Sequence, residues 1–234
     1  MSSEAKSVEF PGAQKDVLGG ELYSAKHSGG PRRGVVLSHD VAGFEGARRT
    51  AERLAENGIT CLLPNLWTRE GAAPALPDRD ARWIAEASLP DRRAIEDLDC
   101  AVRFLGEEKG VDADSVGALG LGSGGTLAFL LGCTSRDVAA VACIGGRALY
   151  PDLSPQKPIQ PLELLLNLDR PLMVLCGAAD KDLPGDHCKL WQQKLDAGGK
   201  DFEFVVYPGG SPPWADLLPG HPLARVLAFL KERL

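Results

Sequence analysis

The stretch Val116-Gly-Ala-Leu-Gly-Leu-Gly-Ser-Gly-Gly-Thr-Leu-Ala-Phe129 lies near the middle of the chain and decides its fold. The apolar run 116–121 predicts a buried strand, and the apolar residues from Thr126 to Gly132 predict a helix. Four of the six residues between Gly120 and Gly125 are glycines. Because glycine carries no side chain, this cluster indicates a tight strand-to-helix turn in which two backbones approach closely.

The same succession of strand, loop and helix continues on both sides of this stretch. Apolar runs predict strands at 34–38, 59–63, 138–144, 171–176 and 201–207, and helical patterns cover 44–57, 91–108, 185–197 and 221–234. Strands that are apolar on both faces and alternate with helices are typical of a mostly parallel sheet with helices on both faces. The pattern therefore predicts one α/β domain over residues 1–234.

Three segments depart from this succession. A hairpin near Val8–Phe10 and Glu21–Ala25 is expected to add antiparallel edge strands. The segments Glu70–Pro90 and Pro151–Pro161 look irregular because proline and charge interrupt them. Each is either a loop that covers an active site or a plain surface loop.

Composition excludes several classes of protein. The 234 residues are 44% hydrophobic and 25% charged, which is typical of a folded globular protein, and the net charge of −6 argues against nucleic acid as a partner. No apolar run reaches the ~20 residues of a membrane span, and the start MSSEAKSVEF lacks the apolar core of a signal peptide. We therefore expect a cytoplasmic protein that is a monomer or a weak homodimer.

The cysteines and histidines give no pattern of metal or redox chemistry. The six cysteines are scattered without a C-x-x-C pair, and the four histidines are equally dispersed. Neither a disulfide framework nor a set of metal ligands is therefore expected, and no cofactor is expected either.

The glycine cluster allows three interpretations. In a nucleophile elbow, small residues must stand two before and two after the tip, which fits Gly120 and Gly124 around Gly122 better than Leu121 and Gly125 around Ser123. Gly120, Gly122 and Gly125 also spell G-x-G-x-x-G, but a dinucleotide fingerprint belongs to a first βαβ unit with an acidic residue after it. The glycines are otherwise structural and let a helix pack closely on a strand.

Five segments of the chain resemble the dienelactone hydrolase family of α/β-hydrolases. They are the strand and oxyanion loop at 34–43, the following strand and loop at 57–67, the elbow at 116–129, the acid loop at 175–184, and the segment 206–214, which is similar to the family's histidine loop. The resemblance covers nearly the whole chain and implies a single-domain α/β-hydrolase fold.

The resemblance also implies that two catalytic groups are missing. The family's nucleophilic cysteine falls on Gly122, its histidine falls on Pro212 or a neighbour, and its acid falls on Asp180. A Cys–His–Asp relay needs a thiolate to attack and an imidazole to move the proton, so covalent ester hydrolysis is expected to be lost or residual. Backbone donors survive such a loss, and the resemblance assigns the oxyanion hole to the N–H groups of Val41 and Ser123.

These positions predict a degenerate triad and a pocket for a small carbonyl or carboxylate compound. The protein would bind that compound without turnover, as a pseudoenzyme, or act on it by proton transfer, cyclisation or lyase chemistry. Asp40, His39 and Asp180 are the candidate acids and bases. Asp40 and Asp180 also have a structural alternative, because both suit turns in which a carboxylate binds nearby backbone.

A competing hypothesis is a weak ester or lactone hydrolase that uses Ser123, Asp180 and His221, in the chain order of α/β-hydrolases. Against it, Ser123 is one residue past the elbow tip and is favoured as a cap of the following helix, and His221 is favoured as surface at the start of the last helix. A purely structural or partner-binding module is a third possibility.

Aromatic and basic side chains complete the list of candidates. Trp214 is predicted to wall the pocket, or else to cover the last helix from outside. Arg79 and Arg82 are candidates to orient an anionic substrate, although solvated guanidinium groups are the favoured interpretation of arginines in a charged segment.

Overall fold

The computed structural model describes residues 5–26, 32–76, 78–108, 110–180, 183–209 and 221–234, with the backbone alone at Arg79. Its strands are β1 Ala5–Pro11, β2 Val17–Tyr23, β3 Arg33–Ser38, β4 Ile59–Pro64, β5 Val116–Leu121, β6 Val141–Ile144, β7 Leu172–Gly177 and β8 Phe202–Tyr207. Its α-helices are α1 Glu45–Glu56, α2 Arg79–Ser88, α3 Asp91–Glu107, α4 Ser123–Thr134, α5 Gly185–Ala197 and α6 Pro222–Arg233.

One eight-stranded sheet joins these elements, in the order β1-β2-β4-β3-β5-β6-β7-β8. The pairs β1–β2 and β2–β4 are antiparallel, and the strands from β4 through β3 and β5 to β8 pair in parallel. The predicted hairpin is confirmed at one edge, where Phe10 lies opposite Leu18. The prediction of a single, mostly parallel α/β sheet is confirmed.

The sheet separates two hydrophobic cores because neighbouring residues of each strand point to opposite faces. In β5, Ala118 belongs to the core beneath α3, α4 and α5, whereas Leu119 belongs to the core beneath α1 and α6. All six residues of β5 are buried. Strands covered on both faces show continuous rather than alternating hydrophobicity, and the sequence shows the same continuity.

Several boundaries and one whole element differ from the sequence-based predictions. The helix after the glycine turn begins at Ser123 rather than Thr126, because glycine has poor helix propensity and conceals the first turn. The strand predicted from Val138 begins at Val141. The segment 70–90 is not irregular throughout, because α2 occupies Arg79–Ser88 and the Asp78 carboxylate caps it by accepting from the Ala81 N–H at 2.8 Å.

None of the helices in the described ranges combines the length and the apolarity that a bilayer span requires.

Candidate functional site

The glycine turn between β5 and α4 has the geometry of a strained elbow. Gly122 adopts φ 55° and ψ −125°, outside the regions that residues with a side chain readily occupy. Its N–H donates to Ile144 O at 2.9 Å, and its carbonyl accepts from Gly125 N–H at 2.8 Å. These bonds hold residue 122 at the carboxyl end of the central strand, although the residue has no side chain to present there.

The flanking glycines are required by close packing of backbone on backbone. A Cβ at Gly120 would lie 2.1 Å from Gly124 O, and a Cβ at Gly124 would lie 2.2 Å from Ser38 O. A Cβ at Gly125 would meet Gly145 O at 2.4 Å. The crowded positions are therefore those two before and two after residue 122, and Gly125 additionally allows α4 to approach the end of β6.

Two backbone N–H groups converge beside the turn, and each already binds an oxygen atom of the chain. The Val41 N–H donates to Ser123 Oγ at 2.7 Å, and the Ser123 N–H donates to Asp40 Oδ2 at 3.1 Å. The prediction that Ser123 caps α4 is wrong. Its hydroxyl makes no capping hydrogen bond to α4 and instead accepts from the Val41 N–H. The pair of donors thus binds one hydroxyl and one carboxylate oxygen.

The Asp40 carboxylate lies at the centre of a small network. Its Oδ1 accepts from the Ala42 N–H at 3.1 Å, and its Oδ2 lies 3.5 Å from Ser123 Oγ and pairs with the Arg82 guanidinium. Asp40 is buried, whereas the Arg82 side chain is 31% exposed. The sequence favoured a solvated guanidinium group for Arg82, and this prediction is wrong. The guanidinium pairs with the Asp40 carboxylate and partly neutralises its charge.

His39 is buried and both of its ring nitrogens bind backbone. Nδ1 lies 2.6 Å from Asp40 O, and Nε2 accepts from the Leu66 N–H at 3.2 Å, so the ring is the neutral tautomer that donates from Nδ1. Burial lowers the pKa of His39, which keeps the ring uncharged. In this geometry His39 joins the loop after β3 to the loop after β4.

Asp180 lies beyond β7, in the loop that leads to α5. It is 9% exposed, and its N–H donates to Gly177 O at 3.1 Å. His221 is the residue immediately before α6. Trp214 and Pro212 fall outside the described residues, as does the side chain of Arg79, whose backbone begins α2.

A narrow pocket is lined in part by Ser123 and contains groups that the sequence did not reveal. Its polar lining comes from His39, Ser123 and Thr126, together with Glu86 of α2 and Tyr150 and Lys157 of the segment after β6. The two segments predicted to be irregular, 70–90 and 151–161, therefore both contribute side chains to this pocket. Arg82 and Glu86 stand one helical turn apart, and this spacing is the signal that could have placed both on the inner face of α2.

Three ion pairs surround the pocket. Besides the pair of Arg82 with Asp40, Arg147 Nε lies 3.1 Å from Glu86 Oε1, and its guanidinium stacks 5.0 Å from the Trp83 ring. The third pair joins Lys157 to Asp91, whose Oδ2 also accepts from Tyr150 O–H at 2.8 Å. Within the described residues, no group of three or more metal-ligating side chains comes together.

The buried pair Lys157–Asp91 leads to a prediction about stability. Both side chains are less than a tenth exposed, so removing one charge leaves the other buried without compensation. Lys157→Met is expected to lower the free energy of unfolding at pH 7 by about 3–5 kcal/mol, measured by urea denaturation. Lys189→Met, at an exposed position of α5, is the matched control and should change it by less than about 0.5 kcal/mol.

The same variant has an expected pH dependence. Burial raises the pKa of Asp91 even though Lys157 and Tyr150 oppose the shift. A raised native pKa adds stability below the unfolded-state pKa, and that stability is lost as the pH rises through the native pKa. Without the Lys157 ammonium the pKa of Asp91 rises further, and Asp91 takes up a proton more readily as the pH falls. The loss in free energy of unfolding caused by Lys157→Met should therefore shrink between pH 7 and pH 5. A deficit that grows on acidification would contradict this account.

A parallel sheet covered on both faces, with a glycine turn and two converging amides at the carboxyl end of its central strand, defines an α/β-hydrolase fold. Comparison with known protein families places the chain in one family within this fold class. The model of the dienelactone hydrolase family matches residues 18–211, and the chain belongs to that family.

Named relatives agree with this assignment. The chain is 30% identical over 183 residues, 77% of its length, to a "putative carboxymethylenebutenolidase" of Methylorubrum extorquens. It is 29% identical over 158 residues, 67% of its length, to a "probable 2-oxo-3-(5-oxofuran-2-ylidene)propanoate lactonase" of Bradyrhizobium sp. Each alignment spans 62% of the relative's own length.

The fold also matches solved structures. A "putative dienelactone hydrolase" from Klebsiella pneumoniae superposes with a TM-score of 0.87 at 24% identity, covering 98% of both chains. The dienelactone hydrolase-like promiscuous phosphotriesterase P91 from metagenomic libraries superposes with a TM-score of 0.77 at 20% identity, covering 100% of this chain and 99% of P91. At these identities the likeness concerns the fold alone.

Proposed function

We propose that this family member binds a small carboxylate or carbonyl compound at the amides of Val41 and Ser123 and has lost covalent ester hydrolysis. The observation that carries the proposal is the pairing of Gly122 at the elbow tip with two amides that each bind an oxygen atom at 2.7 and 3.1 Å. The tip has no nucleophile, and the donors are backbone groups that do not depend on one. The site therefore retains oxygen binding and lacks the atom that would form an acyl-enzyme.

Asp40 is the residue that a ligand would displace. Its Oδ2 now binds the Ser123 amide, so a ligand carboxylate or carbonyl oxygen competes with it for the same N–H. Arg82 already contacts Asp40 from the exposed side and would hold the displaced carboxylate. Once displaced, Asp40 would lie next to a bound carbonyl compound as a candidate base for proton transfer, cyclisation or elimination.

A pair of substitutions at Ser123 tests the binding proposal. Ser123→Pro removes the amide hydrogen at the first position of α4, where proline fits a helix, whereas Ser123→Ala removes only the hydroxyl. Affinity for acetate and crotonate, measured by calorimetry, should fall about tenfold or more in Ser123→Pro, the value of one charge-assisted hydrogen bond. In Ser123→Ala it should be retained or improved, because Oγ no longer occupies the Val41 N–H.

The ligand panel and the folding control make this test decisive. A small butenolide lactone is included because one relative is named as a lactonase. Thermal melting verifies that both variants fold. Equal affinity in the wild-type protein and in folded Ser123→Pro, or no binding of any of these compounds to the wild-type protein, would refute the proposal.

The alternative function is a weak ester or lactone hydrolase built on Ser123, Asp180 and His221. It requires a nucleophilic Ser123 Oγ, an atom that in the resting site accepts from the Val41 amide. Under our proposal, a fluorophosphonate probe should leave Ser123 unlabelled, and p-nitrophenyl acetate should show neither burst nor turnover. Labelling of Ser123 that Ser123→Ala abolishes would establish the hydrolase instead.

A further inference from the structure

Cys176 and Cys188 form a close pair of buried thiols next to the loop that carries Asp180. Cys176 lies near the end of β7, Cys188 lies in the first turn of α5, and their sulfur atoms are 3.1 Å apart. Both side chains are less than 5% exposed. The function proposed above uses neither thiol.

The surroundings of the two sulfurs differ. The hydrogen bond with Cys176 lowers the pKa of the Cys188 thiol, and the same contact raises the pKa of Cys176. Cys188 also lies at the amino end of α5, where the helix dipole favours negative charge. Two thiols in contact, one of them with a lowered pKa, are an arrangement suited to oxidation in two steps.

We infer that Cys176 and Cys188 are a redox site that hydrogen peroxide converts to a reversible disulfide, cross-linking β7 to α5 across the loop that carries Asp180. In the first step the Cys188 sulfur attacks a peroxide oxygen, the O–O bond breaks, and the products are a sulfenic acid and water. In the second step the Cys176 sulfur attacks the Cys188 sulfur, the S–O bond breaks, and the hydroxyl leaves as a second water molecule. One peroxide is reduced and two thiols are oxidised, so the step balances.

The short distance is what makes this bridge accessible. The sulfurs need to approach by about 1 Å to reach bonding distance, and Cys176 stands one residue before the end of β7 while Cys188 stands in the first turn of α5. The bridge would close the chain around Asp180 and restrict the loop that the family resemblance assigns to the catalytic acid.

The experiment counts thiols and maps the bridge in the full-length protein. Cys100, which is only half buried, is replaced by serine in every sample so that surface oxidation does not enter the count. After treatment with hydrogen peroxide this protein should lose two titratable thiols and regain both with dithiothreitol. Peptide mass spectrometry should locate the loss as a bond between Cys176 and Cys188.

Two further variants separate the proposed pair from general oxidation of buried thiols. Adding Cys188→Ser should abolish the loss of two thiols, because Cys176 then has no partner. Adding Cys143→Ala, which removes a buried thiol of the neighbouring strand β6, should leave the loss unchanged. Peroxide-treated, folded protein in which Cys176 and Cys188 both remain free thiols, or a bridge that joins other cysteines, would overturn the inference.

Discussion

Gly122→Cys is expected to acquire a nucleophile that the wild-type protein lacks and to release a burst of about one equivalent of p-nitrophenol from p-nitrophenyl acetate. Gly122 has the strained dihedrals of an elbow tip, and the adjacent Ser123 amide, which donates to Asp40 Oδ2 in the resting site, would stabilise an oxyanion that displaces this carboxylate. Donors of this kind accelerate acyl transfer by about 100-fold or more, so the new thiol should acylate far faster than a thiol placed elsewhere. The side chain adds strain of about 1–3 kcal/mol at this backbone conformation, which should lower the melting temperature.

Ser123→Cys is the matched control for this gain of function. It places the same thiol one residue further on, at the first position of α4, where Ser123 Oγ accepts from Val41. Gly122→Cys should show the fast burst of p-nitrophenol, and the rate of acylation should be about 100-fold lower in Ser123→Cys. A faster burst in Ser123→Cys, or no acylation in folded Gly122→Cys, would show that residue 122 is not the position of the nucleophile.

Turnover should require a second substitution. A thioester at residue 122 lacks the histidine that would activate water, so the single variant should stop after its burst. The family resemblance assigns the histidine to Pro212 or a neighbour. Combining Gly122→Cys with Pro212→His should therefore raise the rate of steady-state release of p-nitrophenol. No increase over the single variant would place the missing histidine at another residue.

Gly120→Ala is expected to destabilise the fold strongly. The added methyl would lie 2.1 Å from Gly124 O, 2.5 Å from Gly124 C and 2.6 Å from Gly125 Cα, all of them backbone atoms that cannot move aside as a flexible side chain would. To remove this steric overlap, α4 must move away from β5 and the glycine turn must open. We expect a loss of more than about 3 kcal/mol in the free energy of unfolding, and poor recovery of folded protein.

Gly185→Ala provides the comparison at a glycine that packing does not require. Nothing lies within 4 Å of a Cβ at Gly185, which is the first residue of α5. Its free energy of unfolding should stay within about 0.5 kcal/mol of the wild-type value in urea denaturation. Equal stability of Gly120→Ala and Gly185→Ala would mean that α4 does not pack on β5 as closely as described.

The fold could be predicted because its signals are local in sequence. Continuous apolar runs such as 116–121 predicted strands covered on both faces, and their alternation with helices predicted a parallel sheet. The glycines around residue 122 predicted the turn because only residues without a side chain tolerate such close approach. Helix α2 was missed because alanine, proline and charge around it concealed the cap at Asp78 and the spacing of Arg82 and Glu86.

The network around the candidate site could not be predicted in the same way. Asp40 and Arg82 are separated by 42 positions and Asp91 and Lys157 by 66, and no periodicity connects residues so far apart. The role of Ser123 depended on the same kind of contact. A serine at the start of a helix locally suggests a helix cap. Ser123 instead binds the Val41 amide, which lies in a loop 82 positions earlier.

The amino-acid sequence by itself determined the sheet, the glycine turn and the absence of a side chain at residue 122, because each follows from the sizes and polarities of neighbouring residues. Only the tertiary structure decided which oxygens bind the amides of Val41 and Ser123, which charges neutralise one another around the pocket, and that the thiols of Cys176 and Cys188 meet. These are contacts between atoms on different loops and helices. Their distances are fixed when α2, α4 and α5 pack on the sheet, and no local pattern encodes them.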